Sequence, residues 1–409
     1  MVAIRKGDGT KIRLCLDFRQ LNLKTYSQNS AAIPNIAEIF DSLANKKYFT
    51  NLDLKEAFHS IPIAKDHRYK TAFMSPTGKS YQFIQCPFGL SYVPNTFSIL
   101  IPAILGDTIN KFVVAFVDDV LIFSDIELDH LAHIEEILQR LEEAKLHLSI
   151  EKCNFAQSTV TFLGHTVSEE GIQPSVKNIE EIKNLQPPRT VRQVRAVYGL
   201  FGYYRRFIPN FAVKAQPLTN LIKPDKKFVW TKECQTAFDH LKDYLISRPL
   251  LRFPDFTKQF ILTTDASDLG AGAVLAQRAE DDLIHPVAFF SKAFTAPEKK
   301  YAATERELAS VIAAVKHWHV YLFAQKFQLV TDHQCLSFLK QAKTPNQRLA
   351  RWSLILSAYD FDVVYKPGTQ IAHADALSRL FYDEVPEEHQ VPQSQDNSIL
   401  SYILYMLLT

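Results

Sequence analysis

The chain has 409 residues, of which 47% are hydrophobic, and this length predicts two or three folded domains. A net charge of +2 excludes a protein that binds polyanions through its overall charge, so basic clusters have to be sought locally. Five cysteines without any C-x-x-C pair exclude a disulfide framework and are typical of a reducing, intracellular setting. We expect neither a leader peptide nor a membrane span, since no apolar run approaches the roughly 20 residues that a span needs.

The N-terminal half predicts strands around one long helix. In chain order, the predicted elements are a hairpin over 2–23 around Gly7-Asp8-Gly9, a strand, a short helix and a hairpin over 48–85, an apolar strand over 112–123, an amphipathic helix over 129–148, and strands over 153–167. Because the first strand begins abruptly, we expect further sequence before Met1.

The C-terminal half begins after the break at Pro187-Pro188 and ends in a mixed α/β pattern. The predicted elements are helices over 190–207 and 230–246, strands over 259–265, 270–277 and 286–291, a helix over 302–323, a strand over 326–332, a helix over 346–358, a strand over 360–366 and a helix over 373–380. From about residue 382 the chain is acidic and polar, which predicts disorder over 382–409.

Three aspartates interrupt apolar strands in the N-terminal half. Asp118 and Asp119 lie inside the run 112–123, and Asp53 interrupts the run 49–54. A hairpin turn at a solvent edge would explain the pair, and a helix cap would explain Asp53. A divalent-metal site is the alternative, because clustered carboxylates repel one another unless a cation neutralises them.

Five sequence blocks occur in a fixed order around these aspartates. They are RLCLDFRQLN at 13–22, LDLKEAFH at 52–59, PFGL at 87–90, FVDD at 116–119 and FLGH at 162–165. Together they resemble the reverse transcriptase of gypsy-type LTR retrotransposons. The resemblance covers about residues 1–381 when the C-terminal half is included.

The resemblance implies a role for each matching position. Asp53, Asp118 and Asp119 match the catalytic metal ligands. The positions that match substrate-binding residues are Lys6, Arg13, Phe58, Phe88, Gly89, Leu163 and Gly164. In the family, the residues that match Lys6 and Arg13 hold the triphosphate. The residue that matches Phe58 is an aromatic steric gate, which excludes a 2′-hydroxyl. Phe88 and Gly89 match part of the dNTP pocket, and Leu163-Gly164 matches the primer grip. An ordinary solvated charge is the favoured interpretation for Lys6, and core packing is compatible with the gate at Phe58.

A basic and aromatic segment follows the polymerase-like blocks. Its cations are Arg192, Arg195, Arg205 and Arg206, and its rings are Tyr198, Tyr203, Tyr204 and Phe207. A helical pair with a solvated basic face and a packed aromatic face explains the pattern. The resemblance favours a surface that grips a duplex backbone without reading its sequence.

Four carboxylates mark the C-terminal half. They are Asp265, Glu307, Asp332 and Asp375, and each alone could be an ordinary strand end or helix cap. As a set they resemble the RNase H domain of the same family, which gathers four carboxylates around two Mg²⁺ ions. Glu305 competes with Glu307, and Glu307 is preferred because it aligns with the apolar stripe of the predicted helix. Tyr365 stands where other RNases H carry a mobile histidine, and His373 is interpreted as a surface residue.

The resemblance implies an α+β and α/β multidomain chain. Its expected parts are right-hand fingers and palm (1–167), thumb or connection (168–250), an RNase H-like mixed sheet (251–381) and the tail (382–409). The implied function is RNA-directed DNA polymerase with RNase H activity, with two Mg²⁺ per active site and Mn²⁺ as a substitute. The implied partners are an RNA template, a DNA primer, RNA/DNA hybrid, dNTPs, and protease and integrase modules of the parent Pol polyprotein. The implied location is cytoplasmic, including retrotransposon particles.

Two alternatives remain open at this point. A decayed or domesticated copy would bind nucleic acid without polymerising, and a nuclease with a dead polymerase site would only cleave hybrids. The intact carboxylate sets argue against the first alternative, and the abrupt start argues for it.

Overall fold

A computed structural model describes residues 16–26, 34–75, 77–224, 226–280, 282–331 and 347–366, together with the backbone of 2–5 and 12–15. These residues form two compact units. The first runs to Leu163 and includes Val167–Glu169, and the second takes Gly164–Thr166 and the chain from Glu170 onward. No helix within the described ranges is long and apolar enough to cross a membrane.

The first unit is built on a four-stranded sheet in the order β6-β7-β3-β8. The bounds of its strands are β3 Tyr48–Asp53, β6 Val113–Phe116, β7 Asp119–Ser124 and β8 Asn154–Gln157. Strand β7 pairs antiparallel with both β6 and β3, so the predicted apolar run over 112–123 is a hairpin interrupted at its tip. The β-branched and aromatic residues of β3 and β7 suit this sheet, whose interior positions are buried on both sides.

Two helices cover one face of that sheet. They are α3 Val93–Leu105 and α4 Glu127–Glu143. Phe97, Ile101, Ile137 and Leu141 from these helices pack with strand residues such as Leu52 in one hydrophobic cluster. The sequence predicts α4 over 129–148, and its end is corrected by the structure. Lys145 takes a left-handed φ of 57°, which stops the helix, and the apolar residues beyond it pack as a loop.

The N-terminal segment is part strand and part helix. Strands β1 Val2–Arg5 and β2 Ile12–Cys15 pair antiparallel, as the hairpin pattern predicts. The prediction of strand is wrong for Arg19–Asn22, which form the short helix α1. The carboxylate of Asp17 accepts a hydrogen bond from the backbone N–H of Arg19 at 3.0 Å, and such local bonds favour a turn over a strand.

Short elements complete the first unit. Helix α2 Ile36–Asp41 precedes β3, and 3-10 helices Ala57–Ser60 and Lys65–Thr71 follow it. Strands β4 Phe73–Met74 and β5 Ser80–Tyr81 pair antiparallel, which confirms the hairpin predicted in this region.

A small sheet and five helices link the two halves of the chain. Strands β9 Thr159–Phe162, β10 His165–Ser168 and β11 Gly171–Pro174 form a sheet in the order β11-β10-β9. The helices are α5 Val176–Lys183, α6 Val191–Tyr203, α7 Phe211–Lys214, α8 Gln216–Leu221 and α9 Lys232–Ile246. Hydroxyls of Ser175, Thr190 and Thr231 cap α5, α6 and α9, which explains why these helices begin where they do.

The second unit contains a five-stranded mixed sheet in the order β14-β13-β12-β15-β16. Its strands are β12 Phe260–Ala266, β13 Gly270–Arg278, β14 Ile284–Ala293, β15 Phe327–Thr331 and β16 Phe361–Tyr365. The first three strands are antiparallel, whereas β15 runs parallel to both β12 and β16. The mixed sheet predicted from the order of strands and helices is therefore confirmed.

Helices α10 Ala303–His317, α11 His319–Leu322 and α12 Gln347–Leu356 accompany this sheet. The sequence predicts one helix over 302–323, and the structure corrects this to two. Trp318 leaves helical geometry and buries its ring against Phe290, with ring centroids 5.9 Å apart. The predicted helix over 373–380 and the tail over 382–409 lie outside the described residues.

Candidate active sites

The first candidate site lies where β3 ends and β7 begins. Asp53 and Asp119 are Cα partners in the antiparallel register, so their side chains leave the same face of the sheet. Asp118 precedes Asp119 in the turn that joins β6 to β7, in which Phe116 pairs with Asp119. Directly opposed residues of an antiparallel pair have Cβ atoms roughly 5 Å apart. The register alone therefore brings carboxylates from two strands into one small region.

The turn that carries Asp118 is strained. Val117 has a φ of 56°, and left-handed backbone is rare for a β-branched residue. A two-residue hairpin turn of this twist needs positive φ, which glycine or asparagine supplies at lower cost. Strain of this kind persists only where the surrounding sheet fixes it, and it clusters at functional sites.

Backbone contacts fix Asp53 from the side opposite β7. Its carbonyl oxygen accepts from the N–H of Ser149 at 2.9 Å, and its N–H donates to the Cys153 sulfur at 3.4 Å. The Cys153 thiol in turn donates to the carbonyl of Ser149 at 3.3 Å. Burial raises the pKa of this thiol, so it stays protonated and can serve as that donor.

One lysine lies beside the first carboxylate. The Lys152 ammonium is 3.6 Å from Asp53 Oδ2, and both side chains are about one-third exposed. An ion pair in this setting contributes little to stability. Its consequence is electrostatic, because a positive charge lies next to one of the three carboxylates.

The donor set fits a divalent cation that also binds substrate. Within the described ranges, no three His, Cys, Asp or Glu side chains converge closely enough to hold a metal ion by themselves. Asp118 is exposed, and Asp53 and Asp119 are half-buried, so this is an open group of carboxylates rather than a closed cage. Mg²⁺ is commonly held by one or two carboxylates and completed by water and substrate phosphates, which an open group permits.

An aromatic cluster follows Asp53 along the chain. The Phe58 ring meets Phe88 and Phe97 edge-on, with centroids 5.6 and 5.9 Å apart, and is half-buried. Gly89 has a φ of 96°, and its carbonyl accepts from the side-chain amide of Asn22 at 2.9 Å. Phe58, Phe88 and Gly89 are thus brought together, and Phe58 also serves the core as the sequence allowed.

The turn Leu163-Gly164 joins β9 to β10, and both residues have positive φ, at 46° and 69°. Its Gly164 carbonyl accepts from the N–H of Ser175 at 3.0 Å and from the Tyr204 hydroxyl at 2.9 Å. For the finger positions, Lys6 and the side chain of Arg13 lie outside the described residues.

The second candidate site lies near the end of β12. Asp265 is exposed and is the Cα partner of Gly272 in β13. Glu307 lies on α10, which packs on these strands, and it is only 8% exposed. Glu305 instead forms an ion pair with Arg348 and accepts a hydrogen bond from the backbone N–H of Ala302, the residue that caps α10. Burial makes a bound cation a favourable counter-charge for a carboxylate such as Glu307.

Thr331 and Tyr365 are the described residues that bear on the other carboxylates of the second set. Asp332 follows Thr331, which ends β15 next to β12, but Asp332, Asp375 and His373 lie outside the described residues. Tyr365 is the register partner of Thr331 in β16 and is 46% exposed. It therefore lies at the same end of the sheet as Thr331.

The basic and aromatic segment described above exposes arginines and buries aromatic rings. Tyr204 and Phe207 are buried, and Arg192, Arg195 and Arg205 are exposed. Both interpretations of the sequence are thus compatible with the fold, because the packed rings leave three cations available to phosphates.

Sequence reasoning missed Lys152 and Asn22 as partners of the first site. Lys152 had no signal beyond a charged residue near a strand. Asn22 was part of a family-like block, but nothing local shows that its amide binds Gly89. Both contacts join residues far apart in the chain, which periodicity does not report.

A palm-like sheet with carboxylates on neighbouring strands, followed by a five-stranded mixed sheet, defines a reverse transcriptase with an RNase H-like domain. Family models agree: reverse transcriptase (RNA-dependent DNA polymerase) matches residues 4–167, and the RNase H-like domain found in reverse transcriptase matches residues 255–359. Residues 4–167 thus match the reverse transcriptase domain family, and residues 255–359 match the RNase H-like domain family. Both domain families depend on divalent metals.

The chain is similar to one part of curated retrotransposon polyproteins. The Tf2-3 and Tf2-4 transposon polyproteins of Schizosaccharomyces pombe are each 36% identical over 401 residues, which is 97% of this chain. The chain spans 30% of the length of these relatives. The resemblance to gypsy-type LTR elements is thereby confirmed.

Solved structures share the fold. The foamy viral protease-reverse transcriptase dRH in complex with double-stranded DNA has a TM-score of 0.76 at 25% identity, covering 89% of this chain and 64% of that chain. The foamy viral protease-reverse transcriptase in complex with RNA/DNA hybrid has a TM-score of 0.69 at 23% identity, covering 97% of this chain and 51% of that one.

Proposed function

We propose that this chain copies RNA into DNA and hydrolyses the RNA strand of the resulting hybrid. The observation that carries the polymerase part is the register of β3 against β7, which sets Asp53 opposite Asp119 with Asp118 one residue away. The family matches over 4–167 and 255–359 support both activities.

In the polymerase step, the primer 3′-hydroxyl attacks the α-phosphorus of a dNTP and pyrophosphate leaves. Asp53, Asp118 and Asp119 would hold the divalent cations that this step needs. Lys6 and Arg13 bind the triphosphate from the fingers, and the Phe58 ring lies under the sugar and disfavours a 2′-hydroxyl. Lewis acidity for this step and for hydrolysis comes from divalent ions, two Mg²⁺ per site with Mn²⁺ as a substitute.

In the hydrolytic step, water attacks a phosphorus of the RNA strand and the 3′-oxygen leaves. Asp265, Glu307, Asp332 and Asp375 are the proposed ligands. Buried Glu307 is suited to hold a cation firmly, whereas exposed Asp265 is accessible to the substrate phosphate.

The proposed partners are an RNA template, a DNA primer and their hybrid. The exposed cations Arg192, Arg195 and Arg205 offer contacts to phosphates that carry no sequence information. The relatives are polyproteins of which this chain matches one part, which supports association with protease and integrase modules of the parent element.

Primer extension on poly(rA)/oligo(dT) with Mg²⁺ or Mn²⁺ tests the polymerase. The wild type should incorporate dTMP, and Asp118→Asn should lose at least about 100-fold in rate, because one ligand of the cation is neutralised. Asp129→Asn on the exposed face of α4 is the matched control and should extend normally. Metal-independent incorporation, or none in the wild type, would refute the polymerase.

Cleavage of a labelled RNA/DNA hybrid tests the nuclease separately. Asp265→Asn should abolish cleavage while extension continues, and exposed Asp360→Asn should change neither activity. Cleavage without any extension in the wild type would support the nuclease-only alternative. Hybrid binding without either activity would support a decayed copy.

A further inference from the structure

Three donors converge on one carbonyl oxygen behind the turn Leu163-Gly164. The Gly164 oxygen accepts from Ser175 N–H at 3.0 Å, from the Tyr204 hydroxyl at 2.9 Å and, more weakly, from Asn178 Nδ2 at 3.4 Å. A carbonyl oxygen has two lone pairs, so the two short bonds satisfy it. A peptide with both acceptor positions occupied cannot rotate without breaking buried hydrogen bonds.

Asn178 determines which way the tyrosine hydroxyl points. Its Nδ2 donates to the Tyr204 oxygen at 2.6 Å. Because that oxygen already accepts from the amide, its own proton is directed to the Gly164 carbonyl. The result is a chain of two hydrogen bonds, called here the relay, in which Asn178 donates to Tyr204 and Tyr204 donates to the Gly164 carbonyl.

The relay is enclosed in a packed aromatic cluster. Tyr204 is fully buried, and its ring lies 5.2 Å from His165 and 6.2 Å from Phe207, measured between centroids. Burial also raises the pKa of Tyr204, so its hydroxyl remains a donor throughout the working pH range. His165 follows the turn directly, and the same cluster therefore fixes the chain on both sides of the carbonyl.

The turn has no room for a side chain at Gly164. A Cβ atom at Gly164 would lie 2.5 Å from Asn178 Nδ2 and 3.1 Å from the Tyr204 oxygen. Leu163 is held at a left-handed φ of 46°, which a leucine adopts only where its surroundings impose it. Asn178 and Tyr204 pack closely against Gly164, the residue that follows Leu163 in the turn.

We propose that Tyr204, oriented by Asn178, is a positioning residue that holds the Leu163-Gly164 turn in the shape required to place the primer terminus. This inference rests on the proposed polymerase function, in which the turn contacts the primer. Tyr204 touches neither substrate nor metal in this scheme, and it acts only through the backbone of Gly164. The basic and aromatic segment thus has a second role beside phosphate contact.

Single-turnover primer extension by the full chain tests the inference. Tyr204→Phe removes one hydroxyl and should lower the rate of nucleotide addition about tenfold or more, since small displacements of reacting groups are costly. The KM for dNTP should change less than twofold. Tyr359→Phe is the matched control and should add nucleotides at the wild-type rate, because it also removes a tyrosine hydroxyl that donates to a backbone carbonyl, that of Val315, which lies outside the turn.

Asn178→Asp provides an independent variant. A carboxylate at this position accepts the tyrosine proton and withdraws it from Gly164, so the rate should fall as in Tyr204→Phe, and the double variant should be no slower than either single variant. Thermal unfolding and cleavage of a preformed hybrid are measured on the same samples. Normal hybrid cleavage with slow extension supports positioning.

The outcomes separate this inference from the proposed function. If the wild type does not extend primers, the polymerase function fails and the inference falls with it. If the wild type extends and Tyr204→Phe extends at the same rate per folded molecule, the inference alone is overturned. Loss of extension and cleavage in equal proportion would show a general folding defect and would also overturn it.

Discussion

Val117 has a backbone conformation that valine disfavours. Its φ of 56° at the hairpin tip carries a cost of order 1–3 kcal/mol, which β3 and β7 must offset. The sequence predicted a hairpin or metal site from Asp118 and Asp119, and it gave no sign that the preceding valine would be left-handed. Such strain arises from the strand register, which local propensity does not contain.

His130 is a second residue whose role emerges only in the fold. It is fully buried on α4, with Thr50 Oγ1 2.8 Å from Nε2 and Ser124 Oγ 2.8 Å from Nδ1. Burial, assisted by the nearby His133, lowers the pKa of His130 from 6.5 to about 4. The folded protein therefore binds this proton less readily than the unfolded chain does.

We predict that the stability of the first unit falls as the pH is lowered from about 6.5 towards 4. Above pH 6.5 the histidine is neutral in both states, and the full stability is present. Below it the unfolded chain takes up the proton first, which favours unfolding. The measurement is the melting temperature against pH for wild type and His130→Gln, with half-buried His133→Gln as control. An unchanged pH slope in His130→Gln would contradict the prediction.

At the scale of elements, periodicity located most helices and strands and misjudged their ends. Helix α4 begins near the predicted residue and ends five residues early, because Lys145 turns left-handed. The predicted helix over 302–323 is two helices in the structure. The break is at Trp318, whose ring is buried in the core. Ends are decided by tertiary contacts, whereas the middle of an amphipathic element is decided by its own pattern.

Strand β11 depends on a close backbone approach. Ile172 and Leu251 exchange two backbone hydrogen bonds, at 2.9 and 3.0 Å. Beside them, Gly171 has a φ of 141°, and a Cβ there would lie 2.1 Å from the carbonyl oxygen of Leu251. A backbone atom cannot move aside as a flexible side chain can.

We predict that Gly171→Ala lowers the melting temperature markedly, by several degrees or more, because both the φ and the contact become unfavourable. Gly202→Ala in helix α6 is the matched control, since nothing lies within 4 Å of its added Cβ. Alanine there should be neutral or stabilising by up to about 1 kcal/mol. Differential scanning fluorimetry on both variants decides the matter, and equal shifts would refute the explanation.

For the whole molecule, the class of fold could be predicted from the sequence, because family-like blocks occur in a fixed order. The two carboxylate sets stay predictions, and for the first of them β3 pairs with β7 so that Asp53 lies opposite Asp119. The relay from Asn178 to Gly164 could not be foreseen, since it joins three separate segments through side-chain geometry. The same holds for the ion pair between Lys152 and Asp53.

Two compact units, each with its own hydrophobic cluster, predict two thermal transitions. Leu52→Ala should lower the melting temperature of the first unit, and Leu329→Ala should lower that of the second. Each substitution should reduce the free energy of unfolding of its unit by about 2–5 kcal/mol, because both side chains are fully buried. Differential scanning calorimetry of the full chain is the measurement. A single transition that both variants shift together would contradict this division.

The pairing of β3 with β7 has a consequence for inheritance. The scaffold beneath Asp53 and Asp119 is made of main-chain hydrogen bonds, so a copy that loses a carboxylate loses chemistry and keeps its shape. Such a copy would also keep the exposed arginines of the basic and aromatic segment. The loss of a carboxylate would therefore be visible in an assay of activity and invisible in a measurement of folding.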